Sequence, residues 1–158
     1  MNVKTLVTSM AQSIAQDAAI LAWANTHYGQ DHYVFVNFDT QNPPGESYCP
    51  CVYIKPHRKR VGQRVDTKVH EVIIICCIYD DASREYPGIS NIVEFMGVSR
   101  LDDFYELVRT CIAGIEVGNA TFSVVEPEYE TIDQFPFMYC GTMVTLLEPV
   151  TMGSDYLA

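Results

Sequence analysis

Positive charge is scarce in this chain. Ten Lys and Arg stand against twenty Asp and Glu in 158 residues, a net charge of −10. So acidic a composition lacks the broad basic face on which a nucleic-acid module depends. Long apolar runs are missing as well. The longest, VIIICCIY over Val72–Tyr79, has the length of a strand and falls far short of the ~20 residues of a membrane helix. The opening MNVKTLVTSMAQSIAQ holds a single Lys and is interrupted by Ser, Thr and Gln, so a secretory leader is not expected. Glycine-rich phosphate loops, the G-x-S-x-G elbow and the H-E-x-x-H zinc helix are all absent. These absences predict a protein with no catalytic residues, no cofactor and no membrane association.

What is present suits a folded chain. Apolar residues make up 48% and charged residues 19%, which argues against disorder. A chain of this size can bury roughly 70% of the surface its unfolded form exposes, enough for one core without staples. One domain over 1–158 is expected, with 151–158 a flexible tail. The six cysteines are Cys49, Cys51, Cys76, Cys77, Cys111 and Cys140. Structural zinc asks for a C-x2-4-C pair and a second pair elsewhere, and this spacing supplies neither, so no metal is expected. Cys76 and Cys77 are adjacent on a strand and point to opposite faces. The six read as buried free thiols that behave as small hydrophobes.

Periodicity gives the elements. Val3, Val7, Met10, Ile14, Ala18, Leu21 and Ala24 recur at steps of three and four, predicting one amphipathic helix of about six turns that stops near Gly29. Strands are predicted over HYVFVNFD (32–39), over YCPCVYIKP, with Pro50 marking an edge or bulge, and over TKVHEVIIICCIYDD. DDASREYPGIS (80–90) reads as a loop. A second helix begins at a Ser99 cap, with Asp102 and Asp103 in its first turn, and ends at Gly114 or Gly118. ATFSVVEPEYETI and FMYCGTMVTLLEPV supply two last strands joined by DQFP. The class is α+β in the order α-β-β-β-α-β-β: a mostly antiparallel sheet with a long protruding hairpin and two helices on one face.

Chemistry offers little. Cys51 and His70 could meet across the hairpin as nucleophile and base, but a buried thiol beside a surface imidazole is the plainer reading. The acids of EPEYE (126–130) read as a solvated strand end. The charge distribution says more. KPHRKRVGQRVDTK (55–68) holds Lys55, Arg58, Lys59, Arg60, Arg64 and Lys68 with one acid, Asp66, a net +5. The remainder carries four basic and nineteen acidic residues, a net −15. No aromatic residue interleaves the cations of 57–68, which argues against nucleic-acid binding. Such a stretch can merely guard an exposed hairpin against edge pairing. A basic arm on an acidic body is also complementary to itself, and suits head-to-tail association in a closed ring.

In size, order and texture the chain resembles the tail terminator (tail-completion) proteins of long-tailed bacteriophages. The likeness runs from VTSMAQSIAQDAAILAWA through SRLDDFYELVRTCI to FMYCGTMVTLLEP, and NPPGES followed by CVYIKP resembles the segment before the long hairpin of that family. It implies a structural subunit of a hexameric homo-oligomeric ring that caps the tail tube and joins tail to head. Its partners would be other copies of itself, the tail-tube protein and a head–tail connector or neck protein. DNA would pass through the lumen as a non-specific passenger. The location would be the virion neck, with assembly in the host cytoplasm. Head-completion and connector subunits of the same neck have similar sizes and stand as an alternative, as does a small module using 55–68 on nucleic acid.

Overall fold

The computed structural model describes residues 2–37, 41–42, 44–61, 67–116, 121–123 and 130–149, with the backbone alone described at 58–61, 67, 121–123 and 130–134. The tail expected over 151–158 lies outside them. The single N-terminal helix of the sequence reading is two helices, α1 (Val3–Gln16) and α2 (Ala18–Tyr28). Asp17 breaks them apart. Its backbone is extended, and its Oδ1 accepts from the amides of Ala19 and Ile20 at 2.9 and 3.0 Å, an N-cap for the second helix. At the break the Ile14 carbonyl accepts from the Asp17 amide at 3.4 Å and stands 2.8 Å from His32 Nε2. Gly29 closes α2 in the left-handed region, with φ 67°, as the glycine position required.

A six-stranded sheet receives these helices. It comprises β1 (Tyr33–Val36), β2 (Cys51–Val61), β3 (Thr67–Tyr79), β6 (Thr121–Ser123), β7 (Glu130–Gln134) and β8 (Phe137–Pro149). The order is β1-β2-β3-β8-β6, with β7 also pairing β8. Every pairing is antiparallel except β1 with β2. Pro50 precedes β2, but that strand is no edge, since β1 and β3 flank it. The thirteen-residue β3 is paired on both sides, along β2 and along the whole of β8. The segment expected as one strand before DQFP contains two, β6 and β7, and the turn falls at Phe135–Pro136.

Alternation along β3 sorts its side chains onto two faces. Val72, Ile74, Cys76 and Ile78 join a core with Leu6, Met10, Ile14 and Ile20 of the first two helices and Leu101, Phe104, Val108 and Ile112 of α3 (Gly97–Ala113). Phe104 is fully buried and stacks on Trp23, with ring centroids 5.0 Å apart. Each such side chain contributes roughly 1.5–3 kcal/mol on leaving water, so this face holds the fold together. The α+β class is thus observed, with three α-helices among the described residues rather than two.

Residues 80–90 are not a loop. β4 (Ser83–Tyr86) and β5 (Ile89–Phe95) form a separate two-stranded sheet, turned at Pro87-Gly88 with Gly88 at φ 84°. Proline at the first corner and a positive-φ glycine at the second are the residues a type II turn requires. α3 begins two residues before Ser99. Met96 is its N-cap, and the Ser99 hydroxyl donates back to the Met96 carbonyl at 3.0 Å. Asp80, with a side chain 2% exposed, anchors the start of both hairpin and helix. It accepts from the Ala82 amide at 2.8 Å and from Arg100 Nη1 at 2.7 Å. Gly114 caps the end of α3.

Candidate functional site

The basic stretch occupies the far ends of β2 and β3. Backbone register sets Lys55 opposite Ile73, Arg58 opposite Glu71, Lys59 opposite His70, Arg60 opposite Val69 and Val61 opposite Lys68. A bulge between Pro56 and Arg58 shifts the pairing there. Lys55 and His57 are exposed, and Lys68 is half-buried with Glu148 of β8 opposite it on its other side. Arg64 lies outside the described residues. The structure thus brings five of the six cationic positions onto two neighbouring strands. Register also adds an acidic position to the group, Glu71, which is buried.

The nucleophile–base pairing weighed from the sequence does not form. Cys51 lies opposite Cys77, whereas His70 lies opposite Lys59, at the other end of the same strand pair. His70 is not a surface imidazole either. It is 1% exposed, and its Nε2 stands 2.9 Å from Glu148 Oε2. Most of EPEYE lies outside the described residues. A shallow cleft of about 530 Å³ opens between the ends of α1 and α3, lined by Ser13, Asp17, Thr110 and Cys111 among others. Burial pushes the Cys111 thiol on its wall up to about 12, which leaves it protonated and unreactive at neutral pH.

The sheet face turned away from the helices is the chemically distinctive surface. Cys49, Cys51, Tyr53 and Cys77 are buried there beneath Phe35, Ile75, Tyr79, Phe137 and Tyr139. Phe35 stacks on Tyr53 at 5.5 Å and meets Tyr48 edge-on at 5.9 Å, while Tyr79 meets Phe137 edge-on at 5.2 Å. The short 3-10 helix Glu46–Tyr48 meets this face through Tyr48. The three sulfur atoms of Cys49, Cys51 and Cys77 all lie within 4.8 Å of one another, and Cys49 and Cys77 are 3.9 Å apart. Hydrogen bonds from the Cys49 and Cys77 thiols pull Cys51 below the ordinary thiol range. The same hydrogen bonding raises the two donors.

Sequence reasoning missed this cluster because it looked for ligands along the chain. The C-x-C spacing does place Cys49 and Cys51 on one side of an extended segment. The third thiol arrives through the register of β2 against β3, which no local pattern states. Cys76 and Cys77 do point to opposite faces, and Cys76 lies in the helix-side core.

A second surface stands apart from the main sheet. On the β4–β5 ribbon Tyr86, Ile89, Ile92, Val93 and Phe95 are all exposed, with Val93 at 55% and Phe95 at 53%. Phe95 meets Phe135 of the β7–β8 turn edge-on at 5.6 Å, and Phe135 is itself 57% exposed. By strand alternation Ile89, Val93 and Phe95 share one face of β5, and Ile92 lies on the other. No protein-family model matches the chain, and no curated protein matches its sequence. No helix of the described residues is long and apolar enough to cross a membrane.

Proposed function

We propose that this chain is a structural subunit of a homo-oligomeric ring, the tail terminator of a long-tailed bacteriophage, and that it has no catalytic role. The observation that carries the reading is the apolar β4–β5 ribbon. An isolated two-stranded hairpin is marginal in water, and this one leaves five large apolar side chains exposed. A neighbouring subunit covering it would remove that surface from water. The charge distribution adds a second contact: the +5 stretch on β2 and β3, extended as a protruding hairpin, would meet the acidic surface of the next copy or of the tail-tube ring.

In this reading six subunits close head to tail, each offering ribbon and basic arm to its neighbour. The acidic remainder of the chain would face the lumen and keep passing DNA from adhering, since like charges repel. The ring would sit between tail tube and neck connector in the virion, after assembly in the host cytoplasm. A connector or head-completion subunit of the same neck would share this surface logic.

The test is charge reversal of Arg58, Lys59, Arg60 and Arg64 to Glu. Surface charges contribute about 0–1 kcal/mol each to folding, and because three of these positions lie on β2, a thermal melt first establishes that the variant is folded. Negative-stain images with tail tubes should show rings and capped tubes for the wild type and neither for the variant. Micromolar wild-type affinity for duplex DNA at physiological salt, lost in the variant while rings persist, would refute the reading in favour of a nucleic-acid module.

A further inference from the structure

We propose that Cys49, Cys51 and Cys77 form a three-sulfur site for one thiophilic metal ion of the class of Cu(I) or Zn(II), clamping the chain before β2 onto β3. The argument begins with distance. A metal–sulfur bond is about 2.3 Å, so three sulfurs around one ion sit roughly 3.8 Å apart in tetrahedral geometry and roughly 4.0 Å apart in a trigonal plane. The Cys49–Cys77 separation is already 3.9 Å, and no pair exceeds 4.8 Å. A disulfide would instead need two of these sulfurs at about 2.05 Å, a much larger displacement.

Pre-organisation supports the same conclusion. Cys51 and Cys77 are direct partners across antiparallel strands, and both belong to a sheet whose interior position fixes them. All three residues are at most 2% exposed, so an ion held there is screened from water and from competing ligands. The chemistry matches in kind. Thiolates are soft donors that select Cu(I) and Zn(II) over Mg(II) and Ca(II). An entering cation draws the thiols to thiolate, releasing their protons to solvent. No His, Asp or Glu completes a fourth position among the described residues. Three-sulfur coordination therefore favours Cu(I), and Zn(II) would need a solvent or carbonyl oxygen as fourth ligand.

The experiment uses the full chain, fully reduced, chelator-washed and anaerobic. Cd(II) serves as the spectroscopic probe, and Zn(II) and Cu(I) are then compared by competition for the same site. The expected result is a sulfur-to-metal absorption band that rises linearly and stops at one ion per chain, with release of the thiol protons and a raised melting temperature. Cys51→Ser and Cys77→Ser should each weaken binding at least 100-fold, while Cys111→Ser and Cys140→Ala, on the helix side of the sheet, should leave it intact. The wild-type titration decides the matter even where a variant folds poorly. Absence of a one-equivalent endpoint in the folded wild type, uptake of several ions without a plateau, or an undiminished band in folded Cys51→Ser would each overturn the site.

Discussion

Replacing Val93 by Lys tests the β4–β5 ribbon most directly, because it should separate folding from assembly. Val93 is 55% exposed and lies opposite Glu85 in the ribbon. In the free subunit a lysine there points into water and gains a carboxylate neighbour across the strands. Such pairs are worth roughly 0.2–1 kcal/mol, so the melting temperature should stay within a degree or two. At a covered contact the terms change sign. Burying the exposed half of a valine is worth about 1 kcal/mol, and this is lost. An ammonium must also be taken out of water, which costs several kcal/mol more. A loss of at least ~3 kcal/mol per contact weakens each association step by upwards of about 100-fold. Val93→Thr, close to valine in shape and carrying no charge, should lose only about 1 kcal/mol, or roughly fivefold. Sedimentation velocity across a concentration series gives the assembly constant, and a thermal melt of the same samples reports the fold. Val93→Lys assembling at wild-type concentrations would show that the ribbon is not an intersubunit contact, and the reasoning from its exposure would fail.

Three further outcomes follow from the fold. Asp17→Ala removes the cap that accepts from Ala19 and Ile20; it should cost about 1 kcal/mol in denaturant unfolding, while Asp17→Asn should cost less. Asp80→Asn should cost about 2 kcal/mol, because the buried carboxylate loses its charge opposite Arg100; a chemical-denaturation midpoint unchanged from wild type would contradict this. Burial lowers the affinity of His32 for a proton against the smaller opposing pull of the Ile14 carbonyl hydrogen bond. The unfolded chain therefore takes up a proton near pH 6.5 that the folded chain refuses until lower pH. Stability should be at its full value above about pH 6.5, fall as pH drops below it, and level off below the folded value. Replacing His32 by Gln should flatten the fall below about pH 6.5.

Helix 1 shows where a sequence pattern ends and tertiary structure begins. The apolar spacing over 3–24 continues through Asp17 without a visible gap, and it put Ala18 and Leu21 on the buried face. The structure buries Ala24 as that spacing expects, but it buries Ile20 in place of Ala18, which is exposed, and Leu21, which is half-buried. The break at Asp17 re-phases the second helix, and an aspartate followed by an alanine-rich run was the available sign of a cap. The β4–β5 ribbon was legible in principle as well, since YPGI carries a type II turn between two exposed segments. Its polar residues made it resemble a loop. The buried strand VIIICCIY and the opposite faces of its two cysteines followed from alternation alone. The thiol cluster did not, because strand register is a long-range property.

The position of β3 bears on how this chain can be made. Its Ile74 pairs with Ile54 on one side, which is synthesised earlier, and with Thr142 on the other, near the end of the described chain. Until β8 has left the ribosome, one edge of the most apolar strand has no partner. An open strand edge of that composition is a template for pairing with another nascent chain, and contacts so distant in sequence form slowly. During the interval before β8 arrives, a chaperone or a slow rate of synthesis would protect the chain. Truncations within β8 should accordingly yield insoluble protein rather than a soluble fragment.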